Sequence, residues 1–213
     1  MKKTTNIKLP KYSILEEILN SISHGIGFIF SAAAFILLIL KHQNNLKNIV
    51  VMGIYSFTLM FLYLSSTLYH SIPPPKVKNI LRKFDHCSIF LLIAGTYTPI
   101  CSVLINNFFS YIVLAIVWVA ALIGIILNTI SVNKFEKFSL VCYIAMGWSI
   151  VLIAKPAWQN LNSFQLKWLI LGGVFYTVGA IFYVLGKKEK YIHSVWHIFV
   201  LIGSLCHFIT IYY

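Results

Sequence analysis

Charged residues are scarce in this sequence, and acidic residues are the scarcest. Only 10% of its 213 residues are charged, with 5 Asp+Glu in total, while 59% are hydrophobic. A soluble domain of ordinary composition is about one-quarter charged. Since a chain of this size cannot hide so much apolar surface from water, the composition predicts an integral membrane protein.

Cysteine motifs, cleavable leaders and long polar linkers are also missing. The first apolar stretch is too long for a signal peptide and has no small-residue cleavage site, so we expect it to remain as a membrane span. Without a polar linker, residues 1–213 are predicted to form one membrane domain. The cysteines form no CxxC pair and are interpreted as small buried residues rather than a disulfide framework. They are Cys87, Cys101, Cys142 and Cys206.

Seven apolar stretches are present, each near the ~20 residues that a helix needs to cross a bilayer. Short polar segments separate them, and a tail of about residues 1–19 precedes the first. The pattern predicts an all-α, polytopic fold, a seven-transmembrane helix bundle. The predicted spans are approximately 20–40, 48–70, 84–105, 109–129, 138–156, 165–186 and 193–213.

The positive charges predict how this bundle is oriented. The net charge is +12. With seven spans, thirteen of the 17 Lys and Arg residues fall on the side of the N-terminal tail and four on the other. The positive-inside rule then predicts a cytoplasmic N-terminus and a C-terminus outside the cell. Because the charges cluster between apolar stretches, we interpret them as topogenic and lipid-facing, and expect membrane lipids rather than nucleic acid as partners.

Two histidines at the start of the last span indicate a metal site. His193 and His197 are four residues apart, so they lie on one face of a helix, one turn from each other. His70 ends the second span at the same predicted edge of the membrane. Three imidazoles with one open position are a common catalytic zinc site. The sequence therefore predicts Zn²⁺ bound by these three histidines, although imidazole also suits other divalent ions.

Two further polar residues are predicted to act catalytically beside that metal. Asp85, the only aspartate, opens the third span at the same edge. It can act as a base on a metal-bound water, whose pKa falls to ~7, but it can also bind the metal directly or pair with Arg82 or Lys83. Ser66 lies one turn before His70. It can orient the water, hold a substrate carbonyl, or simply pack between helices with its hydroxyl bonded to the backbone.

Other polar residues receive no chemical role at this stage. His24 and His86 lie near the same edge, and we interpret His24 as a hydrogen-bonded packing residue and His86 as interfacial or supporting. Glu16 and Glu17 precede the first span, where a negative charge favours a helix N-terminus. His207 lies deeper in the last span and is interpreted as structural.

The motifs resemble those of one known family. They are Ser-Ser-Thr-Leu-Tyr-His at 65–70, Phe-Asp-His at 84–86, His-Ser-Val-Trp-His at 193–197, and Glu17 with Asn-Ser-Ile-Ser-His-Gly at 20–25. Together they are similar to the bacterial hemolysin III family, the prokaryotic branch of the progestin and adipoQ receptor family and a more distant relative of alkaline ceramidases. The resemblance implies seven spans and a zinc ion near the cytoplasmic face. It places the zinc histidines on His70, His193 and His197, the aspartate that holds the zinc-bound water on Asp85, and the family's serine on Ser66.

The predicted function combines this resemblance with the site. We expect a zinc-dependent hydrolase of a lipid amide or related acyl bond in the bacterial plasma membrane, with the lipid substrate entering laterally. One alternative is a non-enzymatic regulator or sensor of membrane state that holds structural zinc. Another is the cytolysin (hemolysin) activity that the family name suggests. A passive channel is disfavoured because few polar groups line any span.

Overall fold

The chain folds into helices throughout the residues described by this computed structural model, 9–186 and 189–213, and those residues contain no strand. The all-α prediction is therefore confirmed. Lys2, Lys3, Lys8, Lys187 and Lys188, which enter the charge prediction, lie outside the described residues. The helices are α1 (Ile14–His42), α2 (Leu46–Ser71), α3 (Pro75–Pro99), α4 (Phe108–Gly147), α5 (Ala154–Asn160), α6 (Ser163–Leu185) and α7 (Ile192–Tyr212).

Helix α1 begins six residues before the predicted span because a capping box starts it at Ser13. The Ser13 hydroxyl accepts from the Glu16 amide, and the Glu16 carboxylate accepts from the Ser13 amide at 2.8 Å. This exchange satisfies amides that have no partner inside the helix. The buried side of α1 is one stripe with helical spacing. Its members are Glu16, Asn20, His24, Gly27, Ser31, Ala34 and Leu38.

The connection between α2 and α3 is shorter than the polar segment 71–83 suggested. Helix α2 ends at Ser71, and Pro75 occupies the first turn of α3, where its missing amide hydrogen costs nothing. The segment with Lys78 and Arg82 is therefore helical and buried rather than a loop. At its other end α3 continues past Pro99 into a π-helix, Ile100–Ile105, which stops where Asn106 adopts a left-handed conformation (φ 48°).

Helix α4 is interrupted at Ser131, whose backbone is extended (φ −161°, ψ 107°). The Ser131 hydroxyl accepts from the Lys134 amide, so this residue caps the second half of the helix. Lys83 on α3 donates to the Thr129 carbonyl at 2.6 Å just before the break. The predicted separator 130–137 is therefore a helix break rather than a loop.

Among the described residues, six helical segments are long and apolar enough to cross a bilayer. They are Ile14–His42, Leu46–Ser71, Pro75–Ile105, Phe108–Asn160, Ser163–Leu185 and Ile192–Tyr212. Helix α1 packs against α2 and α7, α2 against α3, α3 against α4, and α6 against α7. Many large apolar side chains point outward, such as Ile29 (68% exposed) and Leu152 (73% exposed). Such a surface suits lipid and not water.

Candidate metal centre

Three helix ends bring three histidines together. His70 lies in the last turn of α2, and His193 and His197 lie in the first two turns of α7. One ring nitrogen from each can be chosen so that all three lie within 4.8 Å of one another, and all three residues are buried. The structure thus brings together the three residues predicted as ligands, and no other described residue belongs to this group.

In two of these rings, one nitrogen is held by hydrogen bonds and the other forms none with the described residues. The Nδ1 atom of His70 lies 2.6 Å from Glu17 Oε2, and its Nε2 is buried with no hydrogen bond to any described residue. The Nδ1 atom of His197 lies 3.2 Å from the Asn20 carbonyl and 3.2 Å from the Ser23 hydroxyl, and within the described part of the chain its buried Nε2 has no hydrogen-bond partner either. Metal-binding histidines are typically oriented in this way, through the nitrogen that does not bind the ion. Two buried nitrogens without a hydrogen bond to a described residue, in a group of three close imidazoles, therefore fit a metal ion.

Helix α1 supplies the frame that fixes α7 at this site. The Ser194 hydroxyl donates to Asn20 Oδ1 at 2.6 Å, and the amide of Tyr191 donates to Glu16 Oε1 at 2.9 Å. These bonds join the first turn of α7 to the first two turns of α1. The ligand pair on α7 is consequently held in register with the residues that orient it.

Tyr12, which lies just before α1 in the sequence, covers part of the histidine cluster. Its ring lies 4.8 Å from that of His193 and 5.6 Å from that of His70. Burial, assisted by the nearby Tyr69 and Asp85, raises the pKa of the Tyr12 hydroxyl well above its ordinary value. The side chain therefore stays neutral and acts as a cover rather than an added charge.

Asp85 and Ser66 lie near the cluster but outside it. Asp85 is 6% exposed, and its carboxylate is not within the group of mutually close ligand atoms. Its neighbours Arg82 and Lys83 also contact α4, where Arg82 donates to Asn133 Oδ1 at 2.6 Å and Lys83 to the Thr129 carbonyl. The Ser66 hydroxyl is buried and lies close to the Asp85 carboxylate, without a hydrogen bond of normal geometry among the described residues.

Three of the other histidines, His24, His86 and His207, occupy different settings. His24 is 2% exposed and stacks on His197 with the ring centroids 3.7 Å apart, and its ring also approaches the His197 backbone. It is therefore a packing residue, as expected, although neither ring nitrogen forms a hydrogen bond of normal geometry among the described residues. His86 is buried, and its carbonyl accepts from the Tyr143 hydroxyl. His207 lies against Tyr176, deeper in the bundle.

Glu17 is the functional candidate that sequence reasoning missed. Its two carboxylate oxygens bind His70 at 2.6 Å and Lys78 at 2.8 Å. Glu17 forms part of the motif that resembles the family, but the helix dipole explained an acidic residue at this position, so it received no chemical role. The available signal was spacing, since Glu17, Asn20 and His24 recur at three and four residues and so share one face of α1.

An apolar cavity of about 310 Å³ opens beside the cluster. His24 and Asp85 line it near the histidines, and residues of α5 and the start of α6, such as Ala157 and Leu166, line it far along the bundle. Helix α6 packs on α7 and makes few contacts with α4. Helix packing therefore leaves one side of the cavity only loosely covered.

These features define a multi-pass helical membrane protein with three buried histidines converging at one end of its bundle. The profile of the family described as "Haemolysin-III related" matches residues 12–208. The chain belongs to this family, and the resemblance found in its motifs is confirmed.

Curated relatives extend the same likeness over nearly the whole chain. "Hemolysin-3" of Bacillus cereus is 43% identical over 93% of this chain and 91% of its own length. "Hemolysin-3 homolog" of Bacillus subtilis (strain 168) is 41% identical over 94% of both chains. A more distant relative is the human "Monocyte to macrophage differentiation factor", which is 26% identical over 75% of this chain and 68% of its own.

Proposed function

We propose that this protein is a zinc-dependent hydrolase that cleaves a lipid amide or related acyl bond inside the membrane. The observation that carries the proposal is the convergence of His70, His193 and His197 beside an apolar cavity that Asp85 also lines. A hydrogen-bonded histidine cluster would need no such cavity. A lipid-binding cavity, in turn, would need no unpartnered imidazole nitrogens.

His70, His193 and His197 would hold the metal ion. When bound, zinc supplies a Lewis acid and lowers the pKa of a water molecule. The histidine set suits zinc, because imidazole is a borderline ligand and no thiolate lies in the group. Glu17 and the Asn20 carbonyl orient two of the rings.

Asp85 would act as the general base and Ser66 as a hydrogen-bonding group for water or substrate. Since the Asp85 carboxylate lies outside the mutually close ligand atoms, we favour contact with the metal through water over direct ligation. Asp85 would take a proton from the attacking water and return one to the departing amine. The reaction consumes one water and yields a fatty acid and an amine from a lipid amide.

The cavity would accept the acyl chain of the substrate. Its lining is apolar along most of its length, from Leu62 and Ile89 to Ala157 and Leu166. The sparse packing between α4 and α6 favours lateral entry from the bilayer. A lipid entering there would not have to leave the hydrocarbon before reaching the histidines.

We further propose seven spans, with the N-terminus in the cytoplasm. The helical run Phe108–Asn160 has 53 residues; at 1.5 Å per residue it would reach ~80 Å as one rod. A bilayer core is only ~30 Å thick. The break at Ser131 falls near the middle of this run, which supports two spans. Lys76, Arg82 and Lys134 then lie on the side of the histidine cluster, which the positive-inside rule makes cytoplasmic.

Metal analysis followed by a substrate search tests the proposal. Gently purified wild-type protein is expected to hold about one zinc per chain, and His193→Ala/His197→Ala is expected to hold none. His42→Ala, at the far end of α1, serves as the histidine control. Membranes with wild-type protein should then deplete a lipid amide that accumulates with Asp85→Asn. Absence of metal from the wild type would refute the site, and unchanged lipid amides with the zinc retained would favour the non-enzymatic regulator.

A cytolytic activity is the second candidate, and it rests on one observation. A relative that is 43% identical is named "Hemolysin-3". Purified protein added to erythrocytes would release haemoglobin if this chain forms pores. If release occurs and survives loss of the three histidines, the lytic activity is independent of the metal centre.

A further inference from the structure

His24 is a buried polar group that the proposed metal chemistry does not use. It is 2% exposed, and neither ring nitrogen forms a hydrogen bond of normal geometry among the described residues, although the ring lies close to the His197 backbone. It does not belong to the group of mutually close ligand atoms. A neutral imidazole carries one donor and one acceptor, and leaving them unpaired in a low-dielectric interior costs free energy.

The position of His24 is fixed by its neighbours. The ring stacks on His197 with an interplanar angle of 20° and meets Tyr63 edge to face at 5.1 Å. Helix α1 packs closely on Tyr63 one turn later, where a Cβ on Gly27 would lie 2.6 Å from the Tyr63 ring. The imidazole is therefore packed on its faces, and its edge is what remains for a partner.

The cavity gives a well-formed partner access to the ring, because His24 lines it together with Asp85. An acyl chain would fill the apolar length of the cavity, but its hydrocarbon part cannot form a hydrogen bond with an imidazole. The polar end of an acyl compound carries a carbonyl oxygen, which accepts hydrogen bonds. Such a carbonyl, placed at the histidine end of the cavity, would satisfy His24 and lie beside the metal centre.

We propose that His24 is a substrate-binding residue that donates a hydrogen bond from its imidazole N–H to the carbonyl oxygen of the acyl compound in the cavity. This inference rests on the proposed function and adds to it the group that positions the scissile carbonyl. The same donor would stabilise the negative charge that develops on that oxygen during attack by water. The acyl chain would extend from His24 towards α5.

Binding of two matched probes tests the inference without turnover. Wild type, His24→Phe, His24→Gln and His42→Phe are placed in lipid nanodiscs and stripped of metal with a chelator. The probes are hexadecanamide and hexadecane, each brominated in mid-chain. Both quench the fluorescence of Trp158 and Trp196, which line the cavity. The hydrocarbon probe reports the cavity, and the difference between the probes reports recognition of the carbonyl.

We expect wild type and His42→Phe to bind the amide about tenfold more tightly than the hydrocarbon, as one buried hydrogen bond would give. His24→Phe keeps the stacked ring but removes the donor, so it should lose this preference while hydrocarbon binding stays unchanged. His24→Gln keeps an N–H donor and should retain part of the preference.

The outcomes separate the two proposals. If His24→Phe still prefers the amide, the inference is wrong while the acyl cavity stands. If neither probe quenches the wild type, the acyl cavity and the proposed hydrolase both fall, and the role of His24 with them. Should His24→Phe not fold, the infrared carbonyl band of carbon-13-labelled hexadecanamide bound to wild type decides. A band at the frequency of a carbonyl in hydrocarbon would overturn the inference.

Discussion

Glu17 and His70 are joined across α1 and α2 by a contact of 2.6 Å between a carboxylate oxygen and Nδ1. The contact fixes the proton of His70 on Nδ1 and presents Nε2 to the metal centre. Lys78 holds the other carboxylate oxygen at 2.8 Å and also donates to the Tyr69 carbonyl. Glu17, which is not itself a member of the histidine cluster, therefore links α1 to α2 and α3 beside His70.

Replacing Glu17 by Gln should weaken metal binding without removing a ligand. The amide cannot hold the His70 ring as a carboxylate does, and loss of such a partner typically costs 10- to 100-fold in affinity. Competition with a fluorescent zinc chelator measures the change. Glu189→Gln, at an exposed position, is the matched control. Equal affinities for both variants would show that the contact is only structural.

Replacing Asp85 by Asn should separate metal binding from catalysis. The carboxylate lies outside the mutually close ligand atoms, so we expect the zinc content to stay near that of the wild type. Loss of a general base should lower the rate of lipid amide hydrolysis by about 10²- to 10⁴-fold. Elemental analysis and turnover are measured on the same preparation. A variant that loses its zinc would instead identify Asp85 as a direct ligand.

Replacing Gly95 by Ala should destabilise the bundle at the contact of α3 with α2. A Cβ on Gly95 would lie 2.8 Å from the Thr58 Cβ, which cannot rotate away. Overpacking of this kind costs about 1–3 kcal/mol. Gly53→Ala on α2 is the control, because a Cβ there has open space around it. It measures the general gain in helix stability when alanine replaces glycine. Thermal denaturation should give a lower midpoint for Gly95→Ala than for Gly53→Ala.

Replacing Tyr97 by Phe should loosen the segment that follows α4. The Tyr97 hydroxyl donates to the Gly147 carbonyl and accepts from the Ile150 amide, both at 2.8 Å. Leaving these backbone groups unpaired costs about 1–3 kcal/mol, and the midpoint of thermal unfolding should fall by several degrees. The exposed Tyr213→Phe is the control. An unchanged midpoint would mean that water replaces the hydroxyl.

The sequence was sufficient to predict which histidines meet. His193 and His197 share a helical face because of their spacing. His70 was predicted at the same depth because it ends the second predicted span at the edge of the membrane where the last predicted span begins. The partners of these rings were not predictable, since Glu17 on α1 meets α2 only through packing between segments distant in sequence. The same holds for His24, whose stacking on His197 depends on how α1 packs against α7.

Helix interruptions were the other feature that the sequence did not reveal. No proline or glycine marks Ser131, and the break there depends on local capping and on Lys83 reaching the freed Thr129 carbonyl. Conversely, Pro99 is a strong helix-breaking signal, yet the chain stays helical through it by widening into a π-helix. The seven-span count and the orientation in the membrane remain predictions.

The apolar cavity has a consequence for any preparation of this protein. A space of about 310 Å³ beside loosely packed helices can take up the alkyl tail of a detergent as readily as that of a lipid. Micelles supply such tails at high concentration, so they compete with every added acyl compound. Affinities measured in detergent should accordingly be weaker than those measured in nanodiscs, and weaker still as the detergent concentration rises.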